Sequence, residues 1–338
     1  MHPFAFTRAT SVEDALRAAS AHGAAKYIAG GTNLVDLMKE TVERPTHVID
    51  ITHLPLRSID ATDAGGLRIG ALVTNTQLAR DERIRERYPL LASAVLAGAS
   101  PQLRNAATTG GNLLQRTRCY YFYDVGTPCN KRSPGQGCGA RTGQNRIHAI
   151  LGTSDHCIAT HPSDMCVALA ALEARIHVIG ASGERTIEFA DFHRLPGDRP
   201  ELDTTLEPGE LVTAVELPAD DFSTNYSYLK LRDRLSYAFA LVSVAAALQL
   251  DGSQIAAARI ALGGVAHKPW RVVGAERQLI GATPGSDVFT PCAETLLAGA
   301  RGFGHNDFKI ELARRAIVRA LLQAAAGAPQ SQVDKKIG

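Results

Sequence analysis

Two periodicities alternate along the first hundred residues. In SVEDALRAASAHG (11–23) apolar positions recur at helical spacing, behind a capping-box signature from Ser11 to Asp14 and ahead of Gly23 as a stop. AAKYIAGGTNLVDLMKE (24–40) then reads as strand, Gly-Gly turn and helix. THVIDI (46–51) and GLRIGALVTN (66–75) are rich in β-branched residues and predict further strands. ERYPLLASAVLAGA (86–99) predicts a helix, and TTGGNL (108–113) a second Gly-Gly turn. From residue 114 to about 157 the apolar periodicity disappears. Gly, Pro, Arg and Cys accumulate there, which predicts a long loop of the kind that carries function.

Order returns with HPSDMCVALAALEARIHVIG (161–180), a capped helix running into a strand. The span 174–189 predicts a hairpin with a Ser-Gly turn, and ELVTAVELP (210–218) another strand. A boundary is expected near 218–225. Beyond it, YSYLKLR (226–232) precedes a strand pair turned at Asp251-Gly252, and two helices follow at 292–300 and 309–327. Strands followed by helices predict a compact α+β domain. Residues 328–338 are expected to be a disordered tail.

The length of 338 residues suits two or three domains rather than one. A formal net charge of +2 is too mild to argue for nucleic acid, and no nucleic-acid motif is present. The apolar runs are too short to span a bilayer, and the N-terminus lacks the pattern of a secretory signal. Export would therefore require a partner that carries the signal.

Two features carry candidate chemistry. Adjacent glycines let backbone N–H groups approach an anion with no Cβ in the way, and a helix start adds a favourable dipole. The turns at Gly30-Gly31 and Gly110-Gly111 have this character, although a tight turn alone would explain either. Neither a G-x-G-x-x-G nor a phosphate-loop motif is present. The second feature is a cysteine cluster: Cys119, Cys129, Cys138 and Cys157, spaced C-x9-C-x8-C-x18-C. The short paired steps of zinc sites and the ferredoxin run are both missing. Spacing alone leaves an iron–sulfur cluster, zinc, disulfides and free thiols open. Arg116, Arg118, Lys131, Arg132, Arg141 and Arg146 surround the thiols in sequence, and their charge would offset that of a four-thiolate cluster. Cys166 and Cys292 read as small buried hydrophobes, and His161 as structural.

KYIAGGTNLVDLMK (26–39), GASPQLRNAATTGGNLLQRTRC (98–119), HPSDMCVALAALEA (161–174) and YLKLRDRLSYAFALVSVAAAL (228–248) together resemble the FAD-binding subunit of the molybdenum hydroxylases, the xanthine dehydrogenase and carbon monoxide dehydrogenase family. Most members pass directly from GGN to the Asp-containing segment; here the cysteine loop is inserted. That insertion, with GGVAHKPWR (263–271), resembles the middle subunit of bacterial periplasmic aldehyde oxidoreductase, a heterotrimer. A loop of similar role occurs in 4-hydroxybenzoyl-CoA reductase.

The resemblance implies an α+β chain. A two-subdomain FAD-binding domain of the vanillyl-alcohol-oxidase (PCMH) type spans 1–218, with the insertion at 114–157. A flavoprotein C-terminal domain spans 222–327. It implies that Lys26, Tyr27, Ile28, Ala29, Gly30, Gly31, Thr32, Asn33 and Leu34 hold the FAD pyrophosphate. Thr108, Gly111 and Asn112 would make the second phosphate and ribose contact, Asp164 would touch the cofactor and Lys230 would lie near the flavin ring. Cys119, Cys129, Cys138 and Cys157 would ligate a [4Fe–4S] cluster. The function implied is electron transfer: from the [2Fe–2S] clusters of a small partner, which serve a large molybdenum-cofactor subunit, to FAD and then to an external acceptor. The location implied is the periplasm, by a partner's signal, with the cytoplasm as the alternative. Asp164 could instead cap its helix with Ser163, and Lys230 could be a solvated strand residue. A zinc-clasped scaffold without flavin and a free-standing FAD oxidoreductase are the rival functions.

Overall fold

The computed structural model describes residues 1–219 and 222–332. Its first unit is a parallel three-stranded sheet of β1 (Ala5–Arg8), β2 (Ala25–Ile28) and β3 (His47–Asp50), in the order β1-β3-β2. Strands that all run one way need connections that return the chain to its starting end. Helices Val12–Ala21 and Leu34–Lys39 provide them. Ser11 caps the first helix by accepting from Asp14 N at 3.1 Å. The Asp14 carboxylate accepts from Thr10 N instead of Ser11 N, so the expected capping box forms only on one side.

The second unit is an antiparallel sheet of β4 (Ile59–Ala61), β5 (Leu67–Gly70), β6 (Arg175–Gly180), β7 (Gly183–Glu188) and β8 (Leu211–Leu217), ordered β4-β5-β8-β6-β7. The β6–β7 hairpin turns ahead of Gly183, whose φ of +97° lies in the region glycine occupies without strain. Leu67, Ile69, Ile176, Val178, Val215 and Leu217 share a core with helices Pro89–Ala97 and Asp164–Ala171.

The third unit is an antiparallel sheet of β9 (Asn225–Leu231), β10 (Val242–Asp251) and β11 (Gln254–Gly263), ordered β11-β10-β9. Successive side chains of a strand point to opposite faces, and here both faces are buried. Val242, Val244, Ala246 and Leu248 belong to the core formed with helices Ser286–Leu296 and Phe308–Ala325. Tyr228, Ala245, Ala247 and Ala261 belong to the core of the second unit. The small alanines let the second unit's helices lie close, so this sheet is shared between two cores.

Two expectations need revision. Of the tail at 328–338, residues 333–338 lie outside the described residues, but Gln330 and Gln332 are held. Lys230 N donates to Gln330 Oε1 and Gln332 Nε2 donates to Tyr228 O, each at 3.1 Å. β9 is an edge strand with free backbone groups, and the glutamine amides satisfy two of them. The span 98–113 also holds more than a turn. Helices Pro101–Ala106 and Thr109–Leu113 form there, capped by Ser100 and Thr108. Among the described residues no helix is long and apolar enough to cross a membrane.

Candidate cofactor seam and thiol cluster

The first Gly-Gly turn joins β2 to the helix Leu34–Lys39. A Cβ on Gly30 would stand 1.8 Å from Ala106 O, so the turn lies directly on the helix Pro101–Ala106. Gly31 has φ of +71°. Among the described residues, no protein acceptor is found for the backbone N–H groups of Gly30, Gly31, Thr32 and Asn33. Asn33 Oδ1 accepts from Arg116 N at 2.9 Å, while its buried Nδ2 has no partner. The turn therefore presents a row of donors at a helix start. The flanking side chains serve the fold: Tyr27 Oη donates to Gly209 O at 2.7 Å, and the exposed Lys26 lies 4.0 Å from Glu43.

The second Gly-Gly turn is different. Thr109 N donates to Val73 O at 2.9 Å, Gly110 N to Ala71 O at 2.8 Å, and Gly111 N to the Thr108 hydroxyl at 3.2 Å. Its backbone donors are thus satisfied internally, as a tight turn alone would require. Its side-chain polar groups are the buried Thr108 hydroxyl and the half-buried Asn112 amide. Asn112 Oδ1 accepts from Ser163 Oγ at 2.7 Å, which ties this turn to the helix that follows the insertion.

Ser163 is the N-cap of that helix, accepting from Cys166 N at 3.0 Å. Asp164 at the first helical position is buried and faces the third unit. Its Oδ1 accepts from Tyr228 Oη and its Oδ2 from Lys230 Nζ, each at 2.7 Å. Lys230 Nζ also donates to Ala97 O at 3.2 Å, and its side chain is 1% exposed. Lys230 is therefore not a solvated strand residue. Burial and the neighbouring Asp164 push the Tyr228 hydroxyl well above its ordinary value. Residues 30–33, 108–112, 164 and 230 thus lie along one continuous seam.

The inserted loop gathers all four cysteines around one small cavity, which Phe122, Pro128, Lys131 and Ala159 also line. Cys129 and Cys138 face each other across an isolated antiparallel bridge, closed by Asn130 N to Gly137 O at 2.7 Å and Gly139 N to Pro128 O at 3.1 Å. Gly135 and Gly137 supply the positive φ that this turn needs. Tyr121 of the YYFYD segment lies against Gly139 and Gly143, and its hydroxyl accepts from Gln144 N at 2.7 Å. None of the six cysteines is joined in a disulfide. Burial pushes the Cys119 and Cys157 thiols up to about 12, with neighbouring thiols adding to it. Hydrogen bonds reach these sulfurs: His148 Nε2 lies 3.0 Å from Cys119 Sγ, Ala159 N donates to Cys157 Sγ at 3.4 Å, and the backbone N–H groups of Phe122 and Tyr121 act on Cys119. Burial holds His148 neutral, its pKa lowered to about 4.

The basic residues around the thiols chiefly pin the loop rather than face the cavity. Arg132 donates to the carbonyls of Tyr121, Phe122 and Asp124. Arg118 lies 3.6 Å from Asp36, and Arg141 and Arg146 pair with Asp155 and Asp233 at 2.6 Å. Arg116 bridges Glu43 at 2.5 Å and Asp203 at 2.7 Å. Lys131, 1% exposed, pairs with Asp203 and is the cation that lowers the Cys157 thiol. Burial would raise the Asp203 carboxyl, but Lys131 and Arg116 hold it well below the usual range.

Sequence reasoning missed Asp203, which lies outside every motif, and did not separate Lys131 from its exposed neighbours. It also passed over His148, one of two histidines in the cysteine-rich insertion, the other being His156. His161, Cys166 and His193 place one ligand atom each within 4.8 Å of one another. His161 Nδ1 accepts from Ser163 N at 3.4 Å, while His161 Nε2 and His193 Nδ1 are buried without a partner. The trio packs as one cluster beside the start of the helix Asp164–Ala171.

The model for the FAD binding domain in molybdopterin dehydrogenase matches residues 2–220, and that for the CO dehydrogenase flavoprotein C-terminal domain matches 226–324. The chain belongs to the FAD-binding subunits of the molybdenum hydroxylases. It is 53% identical to the aldehyde oxidoreductase FAD-binding subunit PaoB of Escherichia coli K12, over 97% of this chain and all of that one. It is 28% identical to the glyceraldehyde dehydrogenase medium chain of Sulfolobus acidocaldarius, over 85% of each. Among solved structures, carbon monoxide dehydrogenase from Hydrogenophaga pseudoflava superposes with a TM-score of 0.76 at 26% identity, covering 96% of this chain and 98% of that one. Quinoline 2-oxidoreductase from Pseudomonas putida 86 gives 0.74 at 25%, covering 97% and 98%. As a family member the chain is an oxidoreductase subunit that binds FAD, built of the FAD-binding and C-terminal domains that the resemblance implied.

Proposed function

We propose that this chain is the FAD-binding electron-transfer subunit of a heterotrimeric, molybdenum-dependent aldehyde oxidoreductase. It would receive electrons from the [2Fe–2S] clusters of a small partner, with the aldehyde site in a large molybdenum-cofactor subunit, and deliver them to an external acceptor such as a quinone, a small redox protein or oxygen. The observation that carries this reading is the pairing of an anion-ready seam with four thiols, three of them buried, around one cavity. The likeness to an aldehyde oxidoreductase subunit over the whole chain supports the substrate class.

Bound FAD supplies the chemistry, because it takes electrons singly and releases them in pairs. The chain's own residues bind and shield. The free N–H groups of Gly30 to Asn33 and the unpartnered Asn33 Nδ2 suit a pyrophosphate. The Thr108 hydroxyl and Asn112 amide, with the tightly turned Gly111, suit a ribose or second phosphate. Asp164 and Lys230 set the polarity at the other end of the seam. Cys119, Cys129, Cys138 and Cys157 would hold a [4Fe–4S] cluster. The four thiols share one small cavity, and a Gly- and Pro-rich loop can wrap such a cluster. Its place on an insertion favours a mainly structural role for it. The folded complex would be exported to the periplasm on a partner's signal.

The test is the absorption spectrum of the anaerobically purified chain, with iron and zinc counted by mass spectrometry. Flavin bands over a broad brown shoulder, with about four irons per chain, are expected. A colourless protein carrying one zinc and no flavin overturns the proposal.

A further inference from the structure

We infer that His148 tunes the reduction potential of the group held by the four thiolates, by donating a hydrogen bond from Nε2 to the Cys119 sulfur. The inference rests on the four-thiolate assignment proposed above. Three observations carry it.

The first is distance and burial. Nε2 lies 3.0 Å from Cys119 Sγ, and both side chains are buried. Among the described residues, His148 is the one side chain that reaches any of the four sulfurs. The other N–H groups on these sulfurs belong to the backbone, Ala159 on Cys157 and Phe122 and Tyr121 on Cys119, which a side-chain substitution leaves in place.

The second is positioning. The imidazole sits 6.4 Å from the Tyr120 ring and 6.3 Å from the Tyr121 ring, both from the segment that follows Cys119. The backbone of His148 is fixed separately. Its N–H donates to Asn145 O at 2.9 Å. Its carbonyl accepts from Lys309 Nζ at 2.8 Å and from Asn306 Nδ2 at 3.3 Å. Lys309 is fully buried and also donates to Ile147 O and Gly264 O. The third unit therefore holds the ring's anchor while the insertion holds its face.

The third is the direction of the bond. A metal-bound cysteine has lost its proton, so its sulfur can only accept. The ring proton must then sit on Nε2. That leaves Nδ1 bare, and Nδ1 is buried without a partner. The ring is thus oriented with its one N–H on sulfur. Hydrogen bonds to ligand sulfur stabilise the electron-richer, reduced state and raise the potential.

The experiment is an EPR-monitored redox titration of the full chain, loaded with iron, for wild type, His148→Leu and His148→Gln. The glutamine amide nitrogen reaches about where Nε2 lies and keeps a donor; leucine has none. His148→Leu is expected to lower the midpoint so that the reduced fraction at fixed poise falls about tenfold, about 59 mV for a one-electron couple. His148→Gln is expected to recover most of that shift. A leucine variant with full iron content and the wild-type midpoint overturns the inference and leaves the cluster assignment standing. If leucine costs the protein its iron, His148→Asn decides: its shorter amide cannot reach Cys119, and a wild-type midpoint in that variant overturns the inference equally. A wild-type chain without iron sinks the underlying assignment instead, so the two failures are distinguishable.

Discussion

At the scale of single residues, the Asp164–Lys230 pair shows what a motif can and cannot carry. The sequence offered each residue two roles, and both side chains proved to be buried partners across a domain boundary. Neither alternation nor spacing could reveal that, because the partners stand 66 residues apart. A buried pair is strongly coupled. Removing one member leaves an uncompensated charge, at a cost of about 3–5 kcal/mol. Lys230→Met should therefore destabilise by that order, since Asp164 keeps only the Tyr228 hydroxyl. Adding Asp164→Asn should recover part of the loss. Thermal unfolding of the two single variants and the double variant, with FAD content measured alongside, checks this; additive losses would mean that the pair is not coupled.

Among the elements, helices and hairpins were legible where local chemistry dictates them. The strand–turn–helix of 24–40, the capped helix at 164–171 and the turn at Gly252 with φ of +58° all follow from local signals. Sheet order was not legible. β8 inserts between β5 and β6, and that choice depends on which apolar faces meet, not on any local pattern. The two Gly-Gly turns looked alike in sequence but differ in their backbone accounting, since one keeps its N–H groups free and the other satisfies them. The difference arises because the segment 71–75 lies beside the second turn and accepts its donors. Substitution separates the two. On Gly30 a methyl would meet the Ala106 carbonyl at 1.8 Å, whereas on Gly111 it would meet only the Thr108 hydroxyl at 3.0 Å. Gly30→Ala should force the first turn off the helix it packs on and weaken FAD binding by at least about tenfold, about 1.4 kcal/mol. Gly111→Ala should weaken it less. Flavin retention on gel filtration, titrated by fluorescence, ranks the two; an unchanged Gly30→Ala would remove this turn from the binding surface.

For the whole molecule, the insertion acts as a joint. Asp203 receives Arg116 and Lys131 from the loop; Arg116 also reaches Glu43 in the first unit, and His267 of the third unit lies 3.5 Å from Asp203. All three units meet at one partly buried carboxylate. Its consequences with pH separate into two windows. His193 and His267 are kept neutral by burial, their pKa values lowered to about 4, and each is neutral only while folded. A group depressed on folding contributes stability that is present above its unfolded value and lost as pH falls toward its folded value. Each histidine should therefore cost about 2 kcal/mol between pH 7 and pH 5. Asp203 is depressed from the carboxylate range, so its contribution persists through that window and fades only below about pH 4. His267→Gln should flatten the stability profile between about pH 6.5 and 4. Asp203→Asn removes a charge that raises both histidines, so it should leave that slope no shallower, flatten the profile below it, and cost about 3–5 kcal/mol at pH 7 by stranding Lys131. Denaturant unfolding of both variants across this range, with iron and flavin content held constant, measures the two slopes. If Asp203→Asn altered only the upper window, the carboxylate would not be the charge on which the three units converge.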